Sequence, residues 1–329
     1  MREGLRHIFF YAAMLCGTLC YAQQGTFISQ YFNNLSYFNP AVPGNDDALH
    51  IHANGRLQWT GADNHPANAF LTAGMPIKLF DRYLIGAGLV GAYTNNGDDR
   101  YLQISAQASY KFQIGAGLLS IGIQPAYIEL QTKRLPTLEN NDSEASDITT
   151  SRLRKKGTIN LGAGIYYSTP RWWIGFSVQN ITSPRLRVYG IVNQQDSLSY
   201  HRRPHQDLIA MHPAYIFAVG CNIPLKGTLL SIRPSAIAYR CNGYNDGQVT
   251  ALLDFKQLLF GGVGYRWHDA VTAVAGVTFR GFSLCYSYDI PCGIRSKGSH
   301  GSHELTLGYT AQLDIANPKR YRYRSIRYM

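Results

Sequence analysis

The sequence predicts an all-β chain, a transmembrane antiparallel outer-membrane β-barrel of about 14 strands. Three observations lead there. The first is long, strict alternation. In residues 101–113, YLQISAQASYKFQ, Leu102, Ile104, Ala106, Ala108, Tyr110 and Phe112 fall on one face. Gln103, Ser105, Gln107, Ser109, Lys111 and Gln113 fall on the other. A soluble strand averages about five or six residues, whereas a strand that crosses a membrane needs about 9–11. The second is the sorting of links by length. IGA, TPR, IPLKG, FKQ and RG are short, while 131–156 and 181–211 are long and polar. Periplasmic turns and extracellular loops differ in this way. The third is composition. Only 16% of residues are charged, against roughly 25% in soluble domains, and Gly (32) and Tyr (23) are abundant. Mean hydropathy is −0.17, and beyond residue 22 no apolar run reaches the ~18 residues of a spanning helix. Any passage through lipid must therefore use a closed barrel, which satisfies every backbone group.

Residues 1–22 are expected to be a signal peptide. Arg2 and Arg6 precede an apolar run from Ile8 to Leu19, and small residues close the segment at Ala22. The run is too short to span a bilayer. Its removal takes away two arginines and Glu3, so the net charge falls from +11 to +10. Residues 23–48 are a lead-in, expected on the periplasmic side. Its core, FISQYFNNLSYFNPAVPG (27–44), is crowded with aromatics and asparagines and closes on Pro and Gly. Such a segment enters the barrel through a Pro-Gly turn. Its side chains either pack the lumen or offer a binding surface at the periplasmic mouth.

Residues 49–313 form the barrel, with strands expected at 49–60, 67–76, 83–94, 100–113, 117–130, 157–168, 171–180, 212–222, 228–239, 248–255, 258–267, 270–279, 281–289 and 303–313. Links after the fifth, seventh, ninth and thirteenth are expected to be the long ones. The last strand repeats the alternation, with Leu305, Leu307, Tyr309, Ala311 and Leu313 against Glu304, Thr306, Gly308, Thr310 and Gln312. Tyr83, Tyr93, Tyr101, Trp172, Trp173, Tyr239, Trp267, Tyr286 and Tyr288 gather near strand ends, as interfacial girdles do. An even strand count puts both termini in the periplasm. Residues 314–329 are a basic, aromatic tail there. Lys319, Arg320, Arg322, Arg324 and Arg327 mix with Tyr321, Tyr323 and Tyr328. Arginine with aromatics is the composition of binding hot spots, so this tail is expected to dock a partner.

No catalytic or cofactor motif emerges. GAGLVG (86–91) fits G-x-G-x-x-G in letters but lies within a strand pattern and precedes a turn, where a dinucleotide site needs a helix. GSHGSH supplies His300 and His303 without further metal ligands. There is no G-x-S-x-G, H-E-x-x-H or P-loop, and neither a cofactor nor enzymatic chemistry is expected. No basic helix or compact basic domain points to nucleic acid. Cys221, Cys241, Cys285 and Cys292 permit three pairings or four free thiols.

The blocks ISQYFNNLSYFNPAVPG, RLQWTG, FGGVGYRWHDAVTAVAGVTFRGFSLCYSYDI and GSHELTLGYT occur in an order that resembles the PorP/SprF family, from about residue 23 to residue 313. Ser29, Gln30, Tyr31, Asn39, Pro40, Ala41 and Gly44 fall on the family's lead-in pattern. Gly301, Ser302, His303, Glu304, Leu307, Gly308 and Tyr309 fall on its closing strand. The resemblance implies a non-enzymatic outer-membrane component of type IX secretion and gliding motility. It implies an anchor for periplasmic components, namely a ring-forming lipoprotein and a peptidoglycan-binding OmpA-like protein. The same resemblance also implies a holder of cargo through the cargo's C-terminal domain. The alternatives are an outer-membrane channel or transporter, porin-like or fatty-acid-transporter-like, and a soluble secreted β-sandwich adhesin.

Overall fold

The computed structural model describes residues 28–62, 65–79, 83–97, 99–132, 154–196, 199–293 and 298–313. The expected signal peptide and the Arg/Tyr tail, residues Lys319 to Tyr328 included, lie outside the described residues.

Fourteen antiparallel strands close into one barrel. The first seven are β1 (Ala48–Leu57), β2 (Ala67–Leu79), β3 (Tyr83–Asn96), β4 (Asp99–Ile114), β5 (Gly117–Thr132), β6 (Arg154–Ser168) and β7 (Trp172–Gln179). A hairpin follows, β8 (Arg185–Asp196) with β9 (Ser199–Ala210), paired only to itself. The wall resumes with β10 (Ala214–Cys221), continued along β12 by the two-residue β11 (Ile223–Pro224) and counted with it as one strand, then β12 (Leu230–Cys241) and β13 (Tyr244–Phe255). It ends with β14 (Leu259–Arg266), β15 (Ala270–Phe279), β16 (Phe282–Pro291) and β17 (Ser302–Gln312). Pairing of β1 with β17 and of β10 with both β7 and β12 leaves no wall strand at an edge.

Expected and observed strands agree to a few residues, with two corrections. The 181–211 link, read as a polar loop, carries the β8–β9 hairpin. The link after the ninth expected strand, read as long, is the tight turn Asn242-Gly243 between β12 and β13. Both residues have positive φ, 44° and 79°, as the two-residue Asn-Gly hairpin requires.

The alternation in β4 is physical. Leu102, Ile104, Ala106 and Ala108 are exposed on the outer wall, while Ser105, Gln107, Ser109 and Lys111 are buried inside. The outer surface presents Leu71, Leu89, Ile123, Val249, Val263, Phe279 and Leu307, each at least half exposed. This is an apolar band suited to lipid. Parity also corrects the girdle. Trp172 is exposed outside, but its neighbour Trp173 must face the lumen and is buried. Tyr239 likewise packs inward against the core.

Connections at one end are short: 115–116, 169–171, 222–229, 256–258 and 280–281. This short-turn end also holds the start of β1 and the end of β17. The opposite, long-loop end holds the longer links 58–66, the β8–β9 hairpin and 292–301, the connection from β5 to β6, and also the tight turns 242–243 and 267–269.

The facing makes a test. Ile104→Arg, placing a cation in lipid, should destabilise the barrel by about 2–4 kcal/mol. Gln103→Arg, one residue away on the lumen side, should cost little. Urea unfolding in vesicles compares the two, and equal effects would reverse the assigned facing.

Candidate functional site

A fourteen-stranded barrel is too wide for its own side chains to fill, since about eight strands already reach that limit. Here the lead-in fills it. Residues 28–44 thread the lumen from the long-loop end to the short-turn end. The segment turns through a short 3₁₀ stretch, Tyr31–Asn33, and a single helical turn, Leu35–Phe38. Ile28, Tyr31, Phe32, Leu35, Phe38, Ala41 and Val42 are all buried. They form the apolar core of the molecule with wall residues that include Phe70, Tyr166, Trp173, Ile216, Ile237 and Phe260. Of the two uses the sequence left open for these side chains, lumen packing is the one observed for residues 28–44.

At the long-loop end the segment is tied into a buried charge network. Its residues come from six neighbouring strands, β13 to β17 and β1. Arg56 and Glu304 are direct partners across the β1–β17 pair that joins the first wall strand to the last. Glu304 accepts four hydrogen bonds: from Ser29 N–H (2.7 Å), Gln30 N–H (3.0 Å), Asn54 Nδ2 (2.9 Å) and Arg56 Nη1 (2.9 Å). That uses the whole acceptor capacity of a carboxylate. Asp289 receives Arg56 Nη2 at 2.7 Å, Arg266 Nη1 at 3.2 Å, Thr272 Oγ1 at 2.7 Å and the Ser29 hydroxyl at 2.7 Å. Arg266 also pairs with Asp269 at 3.0 Å. The Ser29 hydroxyl donates to Asp289 and accepts from both Arg56 and Arg266. One donor and two lone pairs are all it has. Gln248 Nε2 donates to Ser29 O (2.9 Å), and Gln30 Nε2 reaches Ser287 Oγ and Glu304 O, both at 3.0 Å.

Further down, lumen side chains hydrogen-bond the segment's carbonyls. Gln107 Nε2 donates to Ser36 O (2.7 Å), Gln179 Nε2 to Tyr37 O (2.8 Å), Ser177 Oγ to Phe38 O (2.6 Å) and Ser109 Oγ to Pro43 O (3.2 Å). Tyr31 shares a hydrogen bond with Ser235 at 2.8 Å. The asparagine-proline step sits against glycines. Asn39 Nδ2 donates to Ile165 O at 2.9 Å, and its Oδ1 accepts Ala41 N–H at 2.9 Å. A side chain at Gly164 would collide with Asn39, one at Gly122 with Pro40, and one at Gly86 with the Pro43 carbonyl. Gly86 and Gly88 of the glycine-rich stretch 86–91 are thus the bed of Pro43. The segment leaves the lumen through Gly44, at φ 69°.

The lead-in and closing-strand positions therefore meet in space, since Ser29 and Gln30 bind Glu304. Ser302 is buried and its Oγ accepts Trp59 N–H at 3.0 Å. Gly308 lies where a side chain would strike Ser283 and His52. His303 bonds Tyr286 OH at 2.7 Å, and the Tyr309 ring lies tilted 4.8 Å from that of Phe282, both on the outer wall. Sequence reasoning assigned no role to Arg56, Arg266, Asp269, Asp289 or Gln248. Their signal was a charged or amide residue at lumen parity near a strand end. Cys221, Cys241, Cys285 and Cys292 are free thiols. Among the described residues, no group of three or more His, Cys, Asp or Glu could hold a metal ion.

Two substitutions probe the site. Ser29→Ala leaves the wall intact but removes three charge-assisted bonds, so it should weaken seating of the lead-in by about 1–3 kcal/mol. Proteolysis within 27–44 at lower urea, with heat-modifiable barrel migration unchanged, is the expected result. Gly86→Ala drives a methyl into the Pro43 carbonyl and should cost about 1–3 kcal/mol as overpacking. Gly91→Ala, with nothing within 4 Å, should be silent in the same assay.

No curated protein matches the chain. Among solved structures it is similar to a TodX deltaS2S3 mutant monoaromatic hydrocarbon channel (11% identity, covering 85% of this chain and 94% of that one, TM-score 0.48). It is also similar to the Ralstonia pickettii toluene transporter TbuX (10%, 84% and 92%, 0.49). A third is a Pseudomonas aeruginosa FadL homologue (12%, 80% and 89%, 0.44). The sequence profile of the type IX secretion system membrane protein PorP/SprF matches residues 20–309. It takes in the lead-in, the charge network and the closing strand as one unit, and the chain belongs to the PorP/SprF family.

Proposed function

We propose that this outer-membrane barrel serves type IX secretion as a closed scaffold without chemistry of its own. It anchors periplasmic machinery, or holds cargo through the cargo's C-terminal domain, at the outer membrane. The observation that carries the reading is the occupied lumen. A segment whose backbone is hydrogen-bonded to the wall along its length leaves work to the two rims and the outer surface. The short-turn end, where β17 finishes, is taken as periplasmic from the turn and loop asymmetry. The Arg/Tyr tail then starts on that side, where the ring-forming lipoprotein and the peptidoglycan-binding OmpA-like protein are the partners the family suggests.

Deleting the gene should strand type IX cargo in the periplasm, and normal surface display of every cargo would refute the role. Purified protein in planar bilayers should be silent. A steady ion current would favour the channel reading. In the tail, Arg320, Arg322 and Arg324 replaced together by Ser should lower co-purification of periplasmic partners while barrel migration stays normal.

A further inference from the structure

The short-turn rim is basic along one continuous arc. Among the five fully described short turns, four carry one Lys or Arg and none carries an acid: Arg171, Lys226, Lys256 and Arg280. They join β6 to β7, β10 to β12, β13 to β14 and β15 to β16, which are eight consecutive strands of the wall. All four cations are exposed. Two of them lie over outward rings, Lys256 Nζ 5.4 Å from Phe255 and Arg280 5.2 Å from Phe279. Between them stand exposed apolar residues, Ile223, Leu229 and Leu258. Cations on apolar stems beside aromatic rings and exposed aliphatics belong at the level of lipid headgroups, not in bulk water.

The outer wall is indented obliquely from one end of this arc, at Trp172 and Cys221, toward Val271. A groove of about 860 Å³ runs across β7 and β10 to β15, lined by outward residues that include Trp172, Cys221, Pro234, Ala236, Ala251 and Val263. Its cause is local. Pairing of β10 to β12 stops at Gly220↔Ser235 and resumes in β11 at Ile223↔Ile232. Pro234, which has no N–H to give, sits in the gap. On the other side the β10–β7 ladder continues unbroken, with Asn222 N–H bonded to Arg171 O at 2.7 Å. Small side chains at 234, 236 and 251 leave the space. The volume is that of a small-molecule site, its walls are almost all carbon, and its end at Trp172 and Cys221 opens beside Arg171 and Lys226.

We propose that this groove and arc bind an anionic phospholipid of the turn-side leaflet. Its phosphate is held by Arg171 and Lys226, with Lys256 next along the rim, and an acyl chain lies in the groove. Charge complementarity and the adjoining carbon channel select this occupant, because an acidic protein partner would use the cations and leave the groove empty.

The full-length protein in vesicles of phosphatidylcholine, doped or not with phosphatidylglycerol, tests it. Lipids brominated in the acyl chain quench a tryptophan they touch, and the signal of Trp172 is isolated by difference against Trp172→Phe. Brominated phosphatidylglycerol should quench Trp172 at lower mole fraction than brominated phosphatidylcholine. Arg171→Gln and Lys226→Gln should each cut that preference by about fivefold, as one interfacial cation is worth. Ala236→Phe should fill the groove and reduce quenching by both lipids. Equal quenching by the two lipids in the unmodified protein would overturn the proposal without recourse to any variant. So would charge variants that keep the lipid preference but lose an acidic envelope protein on purification, which would make the arc a protein interface.

Discussion

Arg56 and Glu304 face each other across the one wall pairing that joins the first strand to the last, and neither is in contact with water. Taking such charges out of water costs several kcal/mol each unless every lone pair and proton is met. The wall alone cannot meet them. Two of the four bonds on Glu304 come from main-chain N–H groups of Ser29 and Gln30. The Ser29 hydroxyl joins both guanidiniums to Asp289. The network closes only when the lead-in is seated, so the buried charges at the β1–β17 seam and the occupation of the lumen are coupled. Some cost persists even so, because Arg56 Nε finds no partner among the described residues. The gain lies in position. A residue with one donor and two acceptors, held by three charged groups, fits in one register only.

The rest of the lumen follows from having to hold a peptide rather than water. A polypeptide brings carbonyls, and Gln107, Ser109, Ser177 and Gln179 supply donors for them. It also brings bulk, and glycines at 86, 122 and 164 withdraw the wall where Pro43, Pro40 and Asn39 press closest. Small and amide residues on the polar face of each strand therefore look like a crowded channel in sequence. In space they are the complement of a single segment. The apolar half of the lead-in finds its own partners in Phe70, Tyr166 and Trp173, which lie among polar neighbours on the same inward face.

Period-two alternation made the strands and their facing legible, because in a barrel one face always meets lipid. The charge network was legible only in part. Lumen parity marks Arg56, Asp289 and Glu304 as inward, but their meeting depends on strand neighbours that sequence order does not give, and on a segment from outside the wall. Ser29 and Glu304 were singled out by resemblance alone, at opposite ends of the chain. The Asn-Gly turn at 242–243 was readable by rule, since few other dipeptides take positive φ twice. The Trp172-Trp173 pair was readable too, since adjacent residues in a strand cannot share a face. The β8–β9 hairpin was hidden because its letters, dense in Arg, His and Gln, lack the apolar face by which the wall strands are known.

A filled lumen changes what the outside of the barrel must do. An open channel can concentrate its specificity inside and leave the wall to anonymous lipid. Here the inner surface is committed to one segment, so recognition of anything else falls to rims and wall. The two rims are not alike. At the long-loop end two buried arginines and three buried acids are paired with one another within the network. At the short-turn end cations stand unburied over phenylalanine rings, above a wall that is notched where Pro234 breaks the ladder. A strand interrupted in the middle of a sheet is a cost that closure of the wall does not require, since β7 and β10 pair along their length without such a break. Its presence under the basic arc ties a local defect in hydrogen bonding to the charge above it. The β4–β5 ladder lapses beside Pro125 as well, so what sets the side from β6 to β16 apart is the basic arc above its notch.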